Sequence, residues 1–235
     1  MSNDEEAPNY EDPPPYNDLD QDEILQPVVL LLAGQSIVAE TAVAETADSI
    51  PLYKLNRGIA SLTHASQKVD FERVQRTIKM GSDGNPTIRT RDRLIYNLRH
   101  QRTSTGGLEP LPSDSPYYFI ESVSTTTRAI GNLGIKKLHF RQHWKVLPVD
   151  VSGKNSKAGV PQFLKNAAPV FEIDYSQNRY EWLDAKGQAI AVESDRGDKH
   201  RLIVMASLPQ QTMDALPIHE GMEGVRRKFN LVKDL

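Results

Sequence analysis

The chain contains no cysteine. That excludes a disulfide framework, a thiolate zinc site and a cysteine nucleophile. Its longest apolar run, Val28 to Ala33, is far short of the roughly 20 residues a helix needs to cross a bilayer. The opening MSNDEEAPNY is acidic and polar, unlike a secretory or transit peptide. There is no Asn-x-Ser/Thr acceptor for a glycan, and these absences together point to a protein working inside the cell. Neither a phosphate-cradling glycine loop nor a Gly-x-Ser-x-Gly elbow occurs, so two common catalytic signatures are missing. His219-Glu220-Gly221-Met222-Glu223 begins like a zinc-protease helix. It lacks the second histidine, and Pro217 and Gly221 oppose a stable helix there. The expectation is a non-enzymatic protein with no cofactor and no metal.

Basic residues are also missing from the first part of the chain. Before Lys54 there is no lysine or arginine, whereas 12 of the 31 acids lie there. The remaining 19 acids face all 28 basic residues, so from Lys54 onward the balance is 28 − 19 = +9, although the whole chain of 235 residues carries only −3. Residues 1–26 hold nine acids, four prolines and few apolar groups. Such a segment cannot bury enough surface to offset its chain entropy, so it reads as a disordered arm. Within it, Pro13-Pro14-Pro15-Tyr16 is a Pro-Pro-x-Tyr ligand. Its prolines pre-form the extended helix that WW-domain grooves accept with a terminal tyrosine. A WW-domain protein such as a ubiquitin ligase is the implied partner.

Order is expected from Pro27. Short segments with period-two character follow one another between turn residues. They are Val28–Ala33, Pro51–Leu62, Val69–Met80, Thr87–Arg99, Tyr117–Val123, Ile135–Val149, Val170–Asp174, Tyr180–Leu183, Gln188–Val192 and His200–Ala206. Asp184-Ala185-Lys186-Gly187 reads as a hairpin turn. The tandem Val38-Ala39-Glu40-Thr41, Val43-Ala44-Glu45-Thr46 reads as an Ala-rich helical turn or loop insertion. Many short strands and little helix predict a mainly β fold, a barrel or a sandwich.

Taken as one strand, Ile135–Val149 puts Leu138, Phe140, Gln142, Trp144 and Val146 on one face. Lys137, His139, Arg141, His143 and Lys145 fall on the other. Five basic or potentially basic groups on one face make an anion surface, and Arg89, Arg91 and Arg93 alternate in the same way and extend it. The structurally bland alternative is a solvated outer face. His139 and His143 alone do not make a metal site, since no third ligand has a fixed spacing and the neighbours are cations. The acidic arm, lying on the basic face, would compete with an anionic ligand there. Nucleic acid is the rival anion, but no helix-turn-helix, zinc finger or aromatic RNA-binding signature is present. Arg226-Arg227-Lys228 is at best a weak import signal, and specific nucleic-acid binding is not expected.

Several segments carry a family likeness: Arg91-Asp92-Arg93-Leu94-Ile95-Tyr96-Asn97-Leu98, Tyr118-Phe119-Ile120-Glu121-Ser122-Val123, Leu133-Gly134-Ile135-Lys136-Lys137, Tyr180-Glu181-Trp182-Leu183-Asp184-Ala185-Lys186-Gly187 and His200-Arg201-Leu202-Ile203-Val204. Over roughly residues 28–216 they resemble filamentous-fungal proteins of the tubby C-terminal-like superfamily, which includes tubby, the phospholipid scramblases and the LURP-one-related proteins. The resemblance implies a closed antiparallel β-barrel around a central apolar helix. It also implies basic residues that bind phosphoinositide head groups in tubby-type members, and Pro-rich arms with Pro-Pro-x-Tyr sequences in scramblase-type members. It carries over no catalytic residue.

The chain departs from that pattern after Leu216. Gln210–Leu216 looks like the start of the helix, but Pro217, Gly221 and Gly224 cut it, and proline inside a helix costs about 3 kcal/mol or more. The expectation is an altered or incomplete plug, as a mis-spliced reading or a truncated paralogue would leave. The alternative is a weaker plug made by Ile218, Met222, Val225, Phe229 and Leu231. The expected organisation is thus an arm (1–26), a tubby-like barrel (27–216) and a divergent tail (217–235). The expected function is contact with an anionic phospholipid surface, or an adaptor role, in the cytoplasm at the periphery of membranes or in the nucleus. An accessory protein encoded with a biosynthetic pathway and a nucleic-acid-associated regulator are the alternatives.

Overall fold

The computed structural model describes residues 24–40, 51–58, 62, 68–81, 84–101, 111–123, 130–138, 142–154, 160–177, 179–194 and 201–217. The expectations for Pro13–Tyr16, His139, Arg141, Thr41–Thr46, His219–Glu223 and Arg226–Lys228, and for the tail from residue 218, lie outside these residues.

Among the described residues the β-favouring segments form fifteen strands. They are β1 (Ile24–Leu25), β2 (Val28–Ala33), β3 (Ser36–Ala39), β4 (Tyr53–Leu55), β5 (Lys68–Met80), β6 (Pro86–His100), β7 (Tyr118–Ser122), β8 (Leu133–Lys137), β9 (His143–Asp150), β10 (Gln162–Phe163), β11 (Phe171–Ser176), β12 (Arg179–Asp184), β13 (Ala189–Ser194), β14 (Arg201–Val204) and β15 (Leu208–Pro209). A helix, α1, spans residues 210–217. The strands run β9-β11-β12-β13-β14-β2-β3-β4-β5-β6-β7-β8, and β8 pairs back onto β9. Twelve antiparallel strands therefore close into a barrel, which removes the unpaired edges an open sheet would present. β10 adds to β9 outside the ring, and β1 pairs separately with β15.

Alternation along each strand sends one set of side chains inward. Leu30, Ile37, Phe71, Tyr96, Leu98, Ile120, Trp144, Val146, Phe171, Ile173, Trp182 and Leu202 are buried in one core together with Met213, Ala215 and Leu216 of α1. Each large apolar side chain so buried contributes about 1.5–3 kcal/mol. The hairpin after β12 turns as its sequence predicts. Gly187 takes φ 76°, which glycine adopts without a Cβ clash, and the Asp184 carboxylate accepts from the Lys186 and Gln188 amides at 2.8 and 2.9 Å.

Three expectations need correction. Ile135–Val149 is not one strand but two, β8 and β9, paired as an antiparallel hairpin with Lys137 opposite Trp144 and Lys136 opposite Lys145. A strand reading could not see this turn because the basic residues on both sides continue the same alternation. Val38 and Ala39, expected in a helical turn or loop insertion, lie instead in strand β3, held between β2 and β4. Ile24 and Leu25, assigned to the arm, pair with Pro209 and Leu208. The expected helix over Gln210–Leu216 is present, with Met213, Ala215 and Leu216 in the core, and its described residues end at Pro217.

Candidate functional site

The two longest strands make the site. β4 accompanies β5 only up to the Tyr53–Arg73 pair, and β7 accompanies β6 only from the Tyr96–Ser122 pair. Beyond those points, among the described residues, β5 and β6 pair only with each other, down to the Met80–Pro86 pair. Residues 76–80 and 86–92 are all exposed, so the hairpin projects from the barrel mouth as a two-stranded ribbon. Its base leans on the segment before β4, where Val74 donates its amide to the Leu52 carbonyl at 2.9 Å and Arg76 donates to the Pro51 carbonyl at 3.3 Å.

Register fixes what each face carries. Arg73–Arg93, Gln75–Arg91, Thr77–Arg89 and Lys79–Thr87 are opposed pairs on one face. Val74–Asp92, Arg76–Thr90, Ile78–Ile88 and Met80–Pro86 are opposed pairs on the other. The Arg73 face is the one that continues the barrel interior, because Arg73 reaches Asp214 of α1. The expectation that Arg89, Arg91 and Arg93 share a face therefore agrees with the register. Asp92, on the opposite face, pairs with Lys54 at 2.7 Å. Among the described residues no carboxylate pairs with Arg89 or Arg91.

At the ribbon's base the mouth is closed by a buried polar cluster. Asp214 accepts from the Tyr53 hydroxyl at 2.9 Å, from Arg73 Nη1 at 3.0 Å and from Gln210 Nε2 at 2.6 Å. Burial pushes the Asp214 carboxyl up to about 6, against the opposing pull of Arg73, the Tyr53 and Gln210 hydrogen bonds and Arg93. Burial, then the charge and hydrogen bond of Asp214, hold the Tyr53 hydroxyl well above its ordinary value. Tyr96, deeper in the wall, is raised mainly by burial and accepts a hydrogen bond from the Ile130 amide at 3.2 Å. Sequence reading missed Asp214. An acid in Gln210–Leu216 looks like a solvent-facing residue of a short amphipathic segment, and only its position against Tyr53 and Arg73 reveals burial.

The remaining predicted cations are arranged differently from the expectation. In β9, His143 and Lys145 do face away from buried Trp144 and Val146. They are met by acids from β11, however: Lys145 pairs with Glu172 at 2.9 Å, His143 Nε2 with Glu172 at 3.1 Å, and His143 Nδ1 with Asp174. Lys137 does not share their face. It stands opposite Trp144, with its ammonium 5.7 Å from the indole centroid. Lys136, facing outward with Lys145, lies 5.6 Å from the Phe163 ring instead. Nor do the two groups form one stripe. Read through the Tyr96–Ser122, Phe119–Gly134 and Leu133–Pro148 pairs, Arg93 lies beyond the Asp150 end of β9, whereas Lys137 and His143 are at the other end. Of the described members of that set, Lys137 is on the other face and His143 and Lys145 meet acids from β11, and the arginines of β6 stand apart from them.

Among the described residues no three histidine, aspartate or glutamate side chains converge as a metal site, and no helix is long and apolar enough to cross a membrane. No family model, curated protein or solved structure matches the chain.

Proposed function

We propose that this chain is a tubby-like, non-enzymatic barrel protein that docks on anionic phospholipid surfaces through the arginine face of its β5–β6 ribbon. The closed barrel with a helix in its core supports the tubby-like reading. The observation that carries the lipid reading is the placement of Arg89 and Arg91 on one exposed face with no described carboxylate to neutralise them. Cations near an anionic leaflet gain roughly 1 kcal/mol each. Lys145 is already paired with Glu172, and His143 lies against Glu172 and Asp174, so this pair contributes less. In this reading Pro13–Tyr16 recruits a WW-domain partner to the surface where the barrel is held, which makes the protein an adaptor.

Vesicle sedimentation tests the lipid reading. The full chain is expected to pellet with phosphatidylcholine vesicles containing phosphatidylserine or phosphoinositide, and to stay in solution with phosphatidylcholine alone. Equal partition between the two would remove it.

A further inference from the structure

The face of the ribbon opposite the arginines is apolar at its tip. Ile78 is 71% exposed, Ile88 69% and Met80 69%, the three most exposed large apolar side chains described. They are neighbours by register, since Ile78 opposes Ile88 and Met80 opposes Pro86. Large apolar side chains gathered at one projecting tip mark an interaction surface. Nothing else in the described chain covers them.

From this we infer that the ribbon tip inserts into the interfacial zone of an anionic bilayer, with Ile78, Met80 and Ile88 entering the acyl boundary. The inference rests on the lipid-docking reading and specifies its mode. Charge decides the occupant. The same tip carries Arg76, Lys79, Arg89 and Arg91, a set that would repel its like in a second copy but complements phosphate. The vertical order suits a bilayer. Arg76 lies two residues below Ile78 and four below Met80 on one face, or about 7 and 13 Å at roughly 3.3 Å per residue. The apolar tip therefore reaches below the head groups while the guanidinium stays among them. Lys79, level with the apolar pair, has an alkyl stem long enough to return its ammonium to the phosphates.

Two variants of the full chain test it. Ile88→Trp places a reporter at an exposed site, and the unmodified chain, whose Trp144 and Trp182 are buried, supplies the background. With phosphatidylcholine–phosphatidylserine vesicles the added emission is expected to shift to the blue and to be quenched by brominated acyl chains. Ile78→Ser/Ile88→Ser is expected to unfold like the parent and to pellet with these vesicles at low salt. It should lose at least tenfold in binding at high salt, where attraction between charges is screened. Pelleting without a blue shift, and with identical salt retention by the serine variant, overturns insertion while leaving electrostatic docking intact. Failure of the unmodified chain to pellet overturns both. A dimer in the absence of vesicles that the serine variant abolishes overturns insertion in favour of a second copy as the occupant.

Discussion

Arg73 and Asp214 form the one described ion pair that joins the barrel wall to the helix inside it, with Nη1 3.0 Å from Oδ2 and the two side chains 13% and 2% exposed. Arg73 also sits opposite Arg93 where β5 and β6 leave the barrel. The pair thus anchors α1 at the root of the projecting ribbon, so that the helix position and the ribbon base are set by one contact.

The first prediction concerns this pair. Removing one partner leaves the other buried and uncompensated, which costs about 3–5 kcal/mol, so Asp214→Ala is expected to destabilise the chain by that amount in urea unfolding. A loss below about 1 kcal/mol would contradict the anchoring role. The carboxyl also makes stability pH-dependent. In the folded chain it holds its proton up to about 6, against 3.8 for the unperturbed group. Between these values the folded state binds more protons, so this group's contribution falls as the pH rises from about 4 to 6 and levels off above. Asp214→Asn removes that slope. The stability of the parent relative to this variant is expected to fall across the window by up to about 3 kcal/mol, since each tenfold change in proton affinity is worth about 1.4 kcal/mol. A difference independent of pH would contradict it.

Gly134 gives the second. Its backbone passes under a small apolar cluster outside the barrel, where Phe119, Val149 and Phe163 are buried together. A Cβ there would lie 2.9 Å from Pro116 Cβ, 3.0 Å from Val149 Cγ2 and 3.1 Å from Phe163 Cε1. The proline ring and the branched valine have little freedom to yield. Gly134→Ala is expected to lower stability by about 1–3 kcal/mol, the usual cost of overpacking, and unchanged unfolding would show that β10 lifts away readily.

The third concerns the arm. Ile24 is paired with Pro209, the residue before Gln210, whose amide reaches Asp214. The acidic segment therefore joins the barrel beside the mouth from which the arginine ribbon projects. A chain lacking residues 1–23 is expected to bind phosphatidylserine vesicles more tightly at low salt and equally at high salt, because attraction between exposed charges is screened. Unchanged low-salt binding would show that the arm does not compete.

The fourth concerns Pro13–Tyr16 directly. Tyr16→Ala in the full chain is expected to abolish capture by an immobilised WW domain without altering vesicle binding. Capture that persists would dismiss the motif.

Much of the barrel was legible because its strands bury one face and expose the other. β2, β5, β6, β7 and β11–β14 lie within a few residues of their expected positions, and the Asp184–Gly187 turn is placed correctly. The errors share a physical cause. Alternation reports a face only within one strand. Across the turn after Lys137 it joined β8 to β9 and put Lys137 beside Lys145, although the antiparallel register sets Lys137 against Trp144. The acids that neutralise Lys145 and His143 come from β11, distant in sequence. The ribbon was invisible for the opposite reason. Period-two alternation does not report where neighbouring strands stop, and the early ends of β4 and β7 are what leave Ile78, Met80 and Ile88 exposed.

The central claim is that the arginine face of the ribbon is what anionic lipid meets. Its most direct test is sedimentation of Arg89→Glu/Arg91→Glu beside Lys137→Glu/Lys145→Glu with phosphatidylserine-containing vesicles. The account predicts at least a tenfold loss of binding for the first and a much smaller loss for the second, with both variants folded. Equal losses, or a larger loss for the second, would contradict it.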